Sequence, residues 1–321
     1  MSILKLEPFY KDYIWGGTKL IQDFEKSYQG ERLAEAWKLS CHPSGPSKIV
    51  EGEGCGQTLS EYIQTCGKRV LGKHCEEIED FPILIKLIDA ADSLSIQVHP
   101  DNAYALEHEG EQGKTEMWYI VDCEEDAFIY YGFSEDITRE ELKVRIENST
   151  ILEVLNKVTV HKGDTFLIEA GTIHAIGKGI LIAEIQQNSN LTYRVYDFDR
   201  RDEKGNGREL HIEKALDVTN RKKMVYKKEG FPHLSRSKYF SVDQIYLDGT
   251  YMKGIQGRIT EASFVSFLIL DGTGTICVNG ERMQYSKGDS LFIPAADAEY
   301  SVEGNGQMLF VTIPEKMNRK G

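Results

Sequence analysis

The residues best able to do chemistry are two histidines, a glutamate and a glutamine, spread over three short segments. In SLSIQVHPDN (93–102), strand alternation puts Leu94, Ile96 and Val98 on one face and Ser95, Gln97 and His99 on the other. Gln97 and His99 therefore project together. The next Gly-bounded segment, KTEMWYIV, places Lys114 and Glu116 on a common face by the same rule, and His174 follows the Gly171 turn of AGTIHA. Gln97, His99, Glu116 and His174 together offer two imidazoles, one carboxylate and one amide oxygen. Nitrogen and oxygen ligation without a thiolate suits zinc, and also iron or manganese. So few protein ligands leave a coordination position for water or substrate, as a catalytic centre requires. The plainer reading of either histidine is a hydrogen-bonded packing position at a strand end.

Elements of the right kind surround these residues. ILIKLI (83–88), SLSIQVH (93–99), EMWYIVD (116–122), AFIYYGF (127–133), DTFLIE (164–169) and ILIAEIQQ (180–187) are short apolar runs bounded by Gly, Asn or Asp, which predicts strands. Helical spacing occurs in 59–72 and in 138–158, the second opening on Thr138 with Glu141 three residues on, a capping-box signature. The basic, aperiodic stretch NRKKMVYKKEGFPHLSRSK marks a lobe boundary, and further strands follow it. HKGDTFLIEAGTIHAIG (161–177) also aligns with YSKGDSLFIPAADAEYSV (285–302), with Ala296 and Glu299 in the places of Gly171 and His174. One copy can hold a metal and the other cannot. The expected fold is mainly β: two cupin-type jelly-roll barrels with a few added helices. The expected division is 1–225, a metal-binding lobe with helical insertions at about 54–75 and 136–158, and 226–321, a cupin-like lobe without a metal site.

Composition narrows the function. A net charge of −13 over 321 residues argues against nucleic-acid binding, which needs a basic surface. An anionic substrate would need a local basic pocket in this acidic molecule. Six cysteines without a CxxC pair point to free thiols in a reducing cytoplasm, and no segment reads as a secretory signal or membrane span. The residues specify no oligomeric state.

YIWGG (13–17), AEAWKLSCHP (34–43), SIQVHPDN (95–102), GKTEMWYI (113–120) and the long stretch 170–200 resemble, in this order, the type I phosphomannose isomerases in their short bacterial form. The resemblance implies tandem cupin jelly rolls and zinc-dependent interconversion of mannose 6-phosphate and fructose 6-phosphate. It places the zinc ligands on Gln97, His99, Glu116 and His174, a lysine beside the metal on Lys114, and an active-site arginine on Arg194. Family members often carry Asp four residues before that arginine; here the position is Asn190, which exchanges no proton at neutral pH.

The implied reaction moves a proton between C2 and C1 through an enediol, with zinc as Lewis acid. Lys114 is the preferred proton shuttle, since a neighbouring cation and burial both disfavour an ammonium. Plain electrostatic contact with the phosphate is its equal alternative. Glu184 is a rival base or a structural salt-bridge partner. Arg194 would orient the substrate or its phosphate, and Arg200 and Arg201 would extend the basic pocket or form a solvated turn. Trp15 and Trp37 would wall a sugar face or fill the core. An iron oxygenase of the same fold and a non-catalytic sugar-binding cupin are the competing readings.

Overall fold

The protein is described from a computed structural model covering residues 2–201, 205–226 and 231–315. Part of the expected lobe boundary, residues 227–230, lies outside the described residues. Three antiparallel sheets carry the fold. A six-stranded sheet runs in the order Thr165–Ile168, Glu116–Cys123, Ile180–Gln187, Ile83–Ala90, Glu35–Leu39, Phe9–Lys11. A five-stranded sheet, Tyr193–Tyr196, Ile96–Val98, His174–Ile176, Phe128–Phe133, Leu155–Thr159, closes the first lobe against it. A nine-stranded sheet forms the second lobe around Val265–Val278 and Ala298–Thr312.

The central strands of the six-stranded sheet are buried on both faces, as in Ile83–Ala90, where all eight residues are buried. One face carries Ile88, Trp118, Ile120, Ile180 and Ile182 into the interior of the first lobe. The other carries Ile85, Leu87, Met117, Ala183 and Ile185 against Phe240, Leu268, Phe292 and Leu309 of the second lobe. A sheet sandwiched in this way reads in sequence as a continuous apolar run, without polar alternation. The two lobes also share strands. Leu4–Glu7 pairs with Ser290–Ile293 and with Lys48–Glu51, so two N-terminal strands complete the C-terminal sheet.

The internal echo has an atomic counterpart. In one copy the Asp164 carboxylate accepts the His161 N–H at 2.8 Å, and in the other Asp289 accepts the Ser286 N–H at 2.8 Å. Gly163 and Gly288, before each aspartate, take φ of 90° and 93°, a left-handed turn that glycine adopts without strain. The following strands pair equivalently: Ile168 opposes Glu116, and Ile293 opposes Val265. Val265 thus stands where the first copy has its carboxylate, and an apolar core including Phe267, Ile276 and Met308 fills the second lobe.

Helices form where spacing predicts them but are shorter. Leu59–Cys66 and a 3₁₀ turn at Lys68–Leu71 cover the first stretch. In the second, Arg139–Glu147 and Ile151–Val154 are helical, whereas Leu155–Thr159 is a strand, so the expected insertion to 158 ends early. The chain bends out of helix after Asn148, where Ser149 takes a positive φ of 57°. The Thr138 hydroxyl accepts the Glu141 N–H, but the reciprocal box is at Thr58, whose backbone N–H donates to Glu61 Oε2 at 2.7 Å. Thr58→Ala is expected to destabilise the protein by about 1 kcal/mol in denaturant unfolding, the usual cost of a lost N-cap.

Candidate metal centre

The three ligand-bearing segments are held together by backbone contacts. The Gly171 N–H donates to the His99 carbonyl at 2.8 Å, joining the AGTIHA turn to the end of the QVH strand. Gly171 has φ of 86°, and a Cβ there would lie 2.9 Å from the Val218 carbonyl oxygen, so the turn requires glycine. GKTE packs on PDN: the Lys114 N–H donates to the Pro100 carbonyl at 3.0 Å and the Gly113 N–H to Asn102 Oδ1 at 3.0 Å. Register then aligns the side chains. Arg194, Gln97, His174 and Tyr131 are neighbours across four strands of one sheet, and Trp118, Glu184, Lys86 and Trp37 across four strands of the other.

His99, Glu116 and His174 converge, all fully or almost fully buried, with their ligand atoms within 4.8 Å of one another. His99 Nε2 lies 3.4 Å from Glu116 Oε2, and His174 Nε2 lies 3.3 Å from Glu116 Oε1. Each imidazole has its other nitrogen on a backbone carbonyl: His99 Nδ1 on Leu191 at 2.7 Å and His174 Nδ1 on Thr172 at 2.8 Å. Those bonds put the proton on Nδ1 and leave both Nε2 lone pairs facing the carboxylate, the orientation in which histidine binds a metal. Gln97 Nε2 lies 3.4 Å from His174 Nε2, and a half turn of the amide presents its oxygen in the same place.

The donor set fits a cation. Glu116 Oε1 is buried and makes no hydrogen bond, which is costly for a carboxylate oxygen unless something positive satisfies it. Burial alone would raise the Glu116 pKa, but Lys114 and His99 outweigh it and hold the carboxyl well below its usual range. Burial and the Lys114 ammonium push His99 down to about 3, so its ring stays neutral. A neutral His99 imidazole and an ionised Glu116 carboxylate are ligand forms a divalent metal requires.

Lys114 sits at this centre, its ammonium bonded to Glu116 Oε2 and 3.2 Å from His99 Nε2. Glu184 lies beside it, with Oε1 4.0 Å from Lys114 Nζ and 3.4 Å from Lys86 Nζ, while Oε2 accepts the Trp118 indole N–H at 3.0 Å. Burial and then the Glu116 charge raise the Glu184 pKa. Sequence reasoning missed Lys86 and Glu35. Lys86 Nζ is 3.6 Å from Glu35 Oε2 and 5.0 Å above the Trp37 ring, whose N–H is bonded to Glu35 at 2.6 Å. Burial disfavours the Lys86 ammonium, yet Glu35 and Glu184 overcome this and raise its pKa. The signal was available: a lysine inside ILIKLI needs buried partners.

Trp15 is 5% exposed and packs in the interior cluster with Ala34, Ile88 and Trp118. Arg194 lies on the strand beside Gln97, its Nε donating to Ser95 Oγ at 3.1 Å. Asn190 is exposed. Arg201 is exposed and donates to the Gly205 carbonyl within its own turn. Among the described residues no helix is long and apolar enough to cross a membrane.

Comparison with known proteins agrees with this geometry. Residues 3–131 match the phosphomannose isomerase type I catalytic domain and residues 231–313 the mannose-6-phosphate isomerase cupin domain. A probable mannose-6-phosphate isomerase of Bacillus subtilis is 38% identical over 321 residues, covering 95% of this chain and 98% of that protein. The mannose-6-phosphate isomerase of Streptococcus mutans is 38% identical over 304 residues, covering 92% and 93%. A crystal structure of the mannose 6-phosphate isomerase from Bacillus subtilis superposes with a TM-score of 0.88 at 34% identity, covering 97% of this chain and 99% of the other. The chain belongs to the type I phosphomannose isomerase family.

Proposed function

We propose that this chain interconverts mannose 6-phosphate and fructose 6-phosphate with one zinc ion held by His99, Glu116, His174 and Gln97. The convergence of two imidazoles and a carboxylate on one buried point, with Lys114 and Glu184 beside it, carries the reading. When bound, zinc would polarise the sugar oxygens and offset the negative charge of an enediolate.

The protein's own groups divide the remaining work. Glu116 Oε2 and His99 Nε2 accept from Lys114; with both of those ligands engaged in holding the zinc, Lys114 would be free to exchange a proton with C1 or C2. Glu184, whose raised pKa suits it to hold and release a proton, is the second candidate. Lys86, whose pKa is raised, is a fixed positive charge rather than a shuttle, and its ion pair orients Glu184. Arg194, one strand out from Gln97, orients the substrate, and the buried Trp15 of the interior cluster and Trp37 under Lys86 are the apolar surfaces assigned to a sugar face. We assign residues 1–225 to a catalytic cupin lobe and 226–321 to an inert one, the second borrowing Leu4–Glu7 and Lys48–Glu51 from the first segment; Val265 at the register position of Glu116 supports the inert reading. Six free cysteines support a reducing cytoplasm as the compartment.

The test is metal analysis with a coupled isomerase assay. Purified protein is expected to carry about one zinc per chain and to form fructose 6-phosphate from mannose 6-phosphate. A chelator should remove both metal and turnover, and zinc should restore both. Oxygen consumption with iron, or stoichiometric sugar binding with no turnover in the zinc-loaded protein, would overturn the isomerase reading.

A further inference from the structure

Two arginines beside the metal centre share one buried carboxylate, and a third, Arg194, lies within its electrostatic reach. Tyr193–Tyr196 pairs with Ile96–Val98, setting Arg194 opposite Gln97. Past this strand the chain turns sharply, with Phe198 and Asp199 both in the left-handed region at φ of 54° and 53°. Two successive non-glycine residues stay there only where their surroundings hold them. Asp197, 6% exposed, is the hub of this turn. Its Oδ1 accepts from Arg200 NH2 at 2.5 Å and from Arg208 NH2, and its Oδ2 accepts from Arg208 Nε at 2.7 Å.

The same segment that supplies Gln97 anchors the other guanidiniums. Arg200 NH1 donates to the Ser93 carbonyl at 2.6 Å, and Arg194 donates to Ser95 Oγ and to the Glu209 carbonyl. Burial and then the Arg208 charge lower the Arg194 pKa, with Arg200 adding to it, so the three guanidiniums lie within mutual reach. The carboxylates facing them are Asp197, the exposed Asp92 at 3.6 Å from Arg200, and Glu209 near Arg194. Among the described residues, Arg194 NH2 and Arg208 NH1 make no hydrogen bond. Fixed guanidinium forks with spare donors match phosphate oxygens.

We propose that Arg208 contacts the substrate's phosphate and that Asp197 is a positioning residue, holding Arg200 and Arg208 in a seat completed by Arg194. This rests on the reading that the substrate is a sugar phosphate. A buried carboxylate inside an anion seat has a definite use. It offsets repulsion among three guanidiniums and fixes two of them in place, while the other two carboxylates nearby, Asp92 and Glu209, are exposed to solvent and screened by it. The seat is the local basic pocket that an acidic chain needs to hold an anion.

The experiment uses the zinc-loaded full chain with Arg208→Ala, Arg208→Lys and Asp197→Asn. Arg208→Ala is expected to raise KM for mannose 6-phosphate about tenfold or more, with kcat within about threefold, as for loss of a charged hydrogen bond made throughout the reaction. Competitive inhibition by inorganic phosphate should weaken by the same factor, and the lysine variant should recover part of it. Asp197→Asn should weaken phosphate alone, leaving inhibition by unphosphorylated mannose unchanged. Equal weakening of both ligands would mark a merely structural role and overturn the proposal, as would a KM within twofold of wild type in Arg208→Ala. If Asp197→Asn fails to fold, Arg208→Ala decides, since the Arg208 side chain is 35% exposed. Calorimetric binding of inorganic phosphate to the wild type is read without turnover. Arg208-dependent phosphate binding in a chain that isomerises nothing would keep this seat and sink the isomerase reading.

Discussion

His174→Ala should lose its metal and its isomerase turnover together. His174 is fully buried, its Nε2 lies 3.3 Å from Glu116 Oε1, and the Thr172 carbonyl fixes its tautomer. Losing even an outer hydrogen-bond partner of a metal ligand costs about 10–100-fold in affinity, so losing the ligand itself should cost more. After dialysis the variant is expected to hold little zinc and to turn over at background. Stability supplies a second readout. A ligand that binds only the folded state stabilises it by mass action, so added zinc should raise the melting temperature of metal-free wild type and leave the variant nearly unmoved. A variant that retains stoichiometric zinc and normal turnover would mean that His174 is a packing residue and that the centre lies elsewhere.

Much of this site was legible because its residues sit on short elements with an unambiguous period. Alternation alone put Gln97 and His99 on one face, although the strand proper is only Ile96–Val98 and His99 lies just past its end. The repeated KGD turn was readable because one glycine and one aspartate set it locally, and both copies make the same Asp carboxylate bond. What escaped was long-range. Nothing local tells Leu4–Glu7 to join a strand nearly three hundred residues away, and the equivalence of Glu116 with Val265 is visible only after pairing sets the register. Lys86 was hidden for a different reason. Its neighbours are apolar because the strand is buried on both faces, and Glu35 and Glu184, which compensate its charge, come from two other strands. Arg208 was hidden in a polar turn whose value depends on Asp197 folding back to meet it.

The second large effect separates two roles for Lys114. Its ammonium is bonded to Glu116 and lies 3.2 Å from His99 Nε2, inside the ligand cluster, whereas the guanidiniums gather beyond Gln97 around Asp197. That placement favours proton transfer over phosphate contact. Lys114→Ala is therefore expected to keep its zinc, since it removes a competitor for the ligand lone pairs and no ligand. Turnover should fall at least about a hundredfold, the scale of a lost general acid–base group. The fall should appear in kcat with KM little changed, because a group acting only in the transition state contributes nothing to ground-state binding. Exchange of the C2 hydrogen with solvent, which reports proton abstraction directly, should slow by the same factor. A phosphate contact would give the opposite split, with KM raised and both kcat and exchange preserved. If kcat and exchange stay near wild type while Glu184→Gln abolishes them, Glu184 is the group that carries the proton, and Lys114 serves only to balance the Glu116 charge.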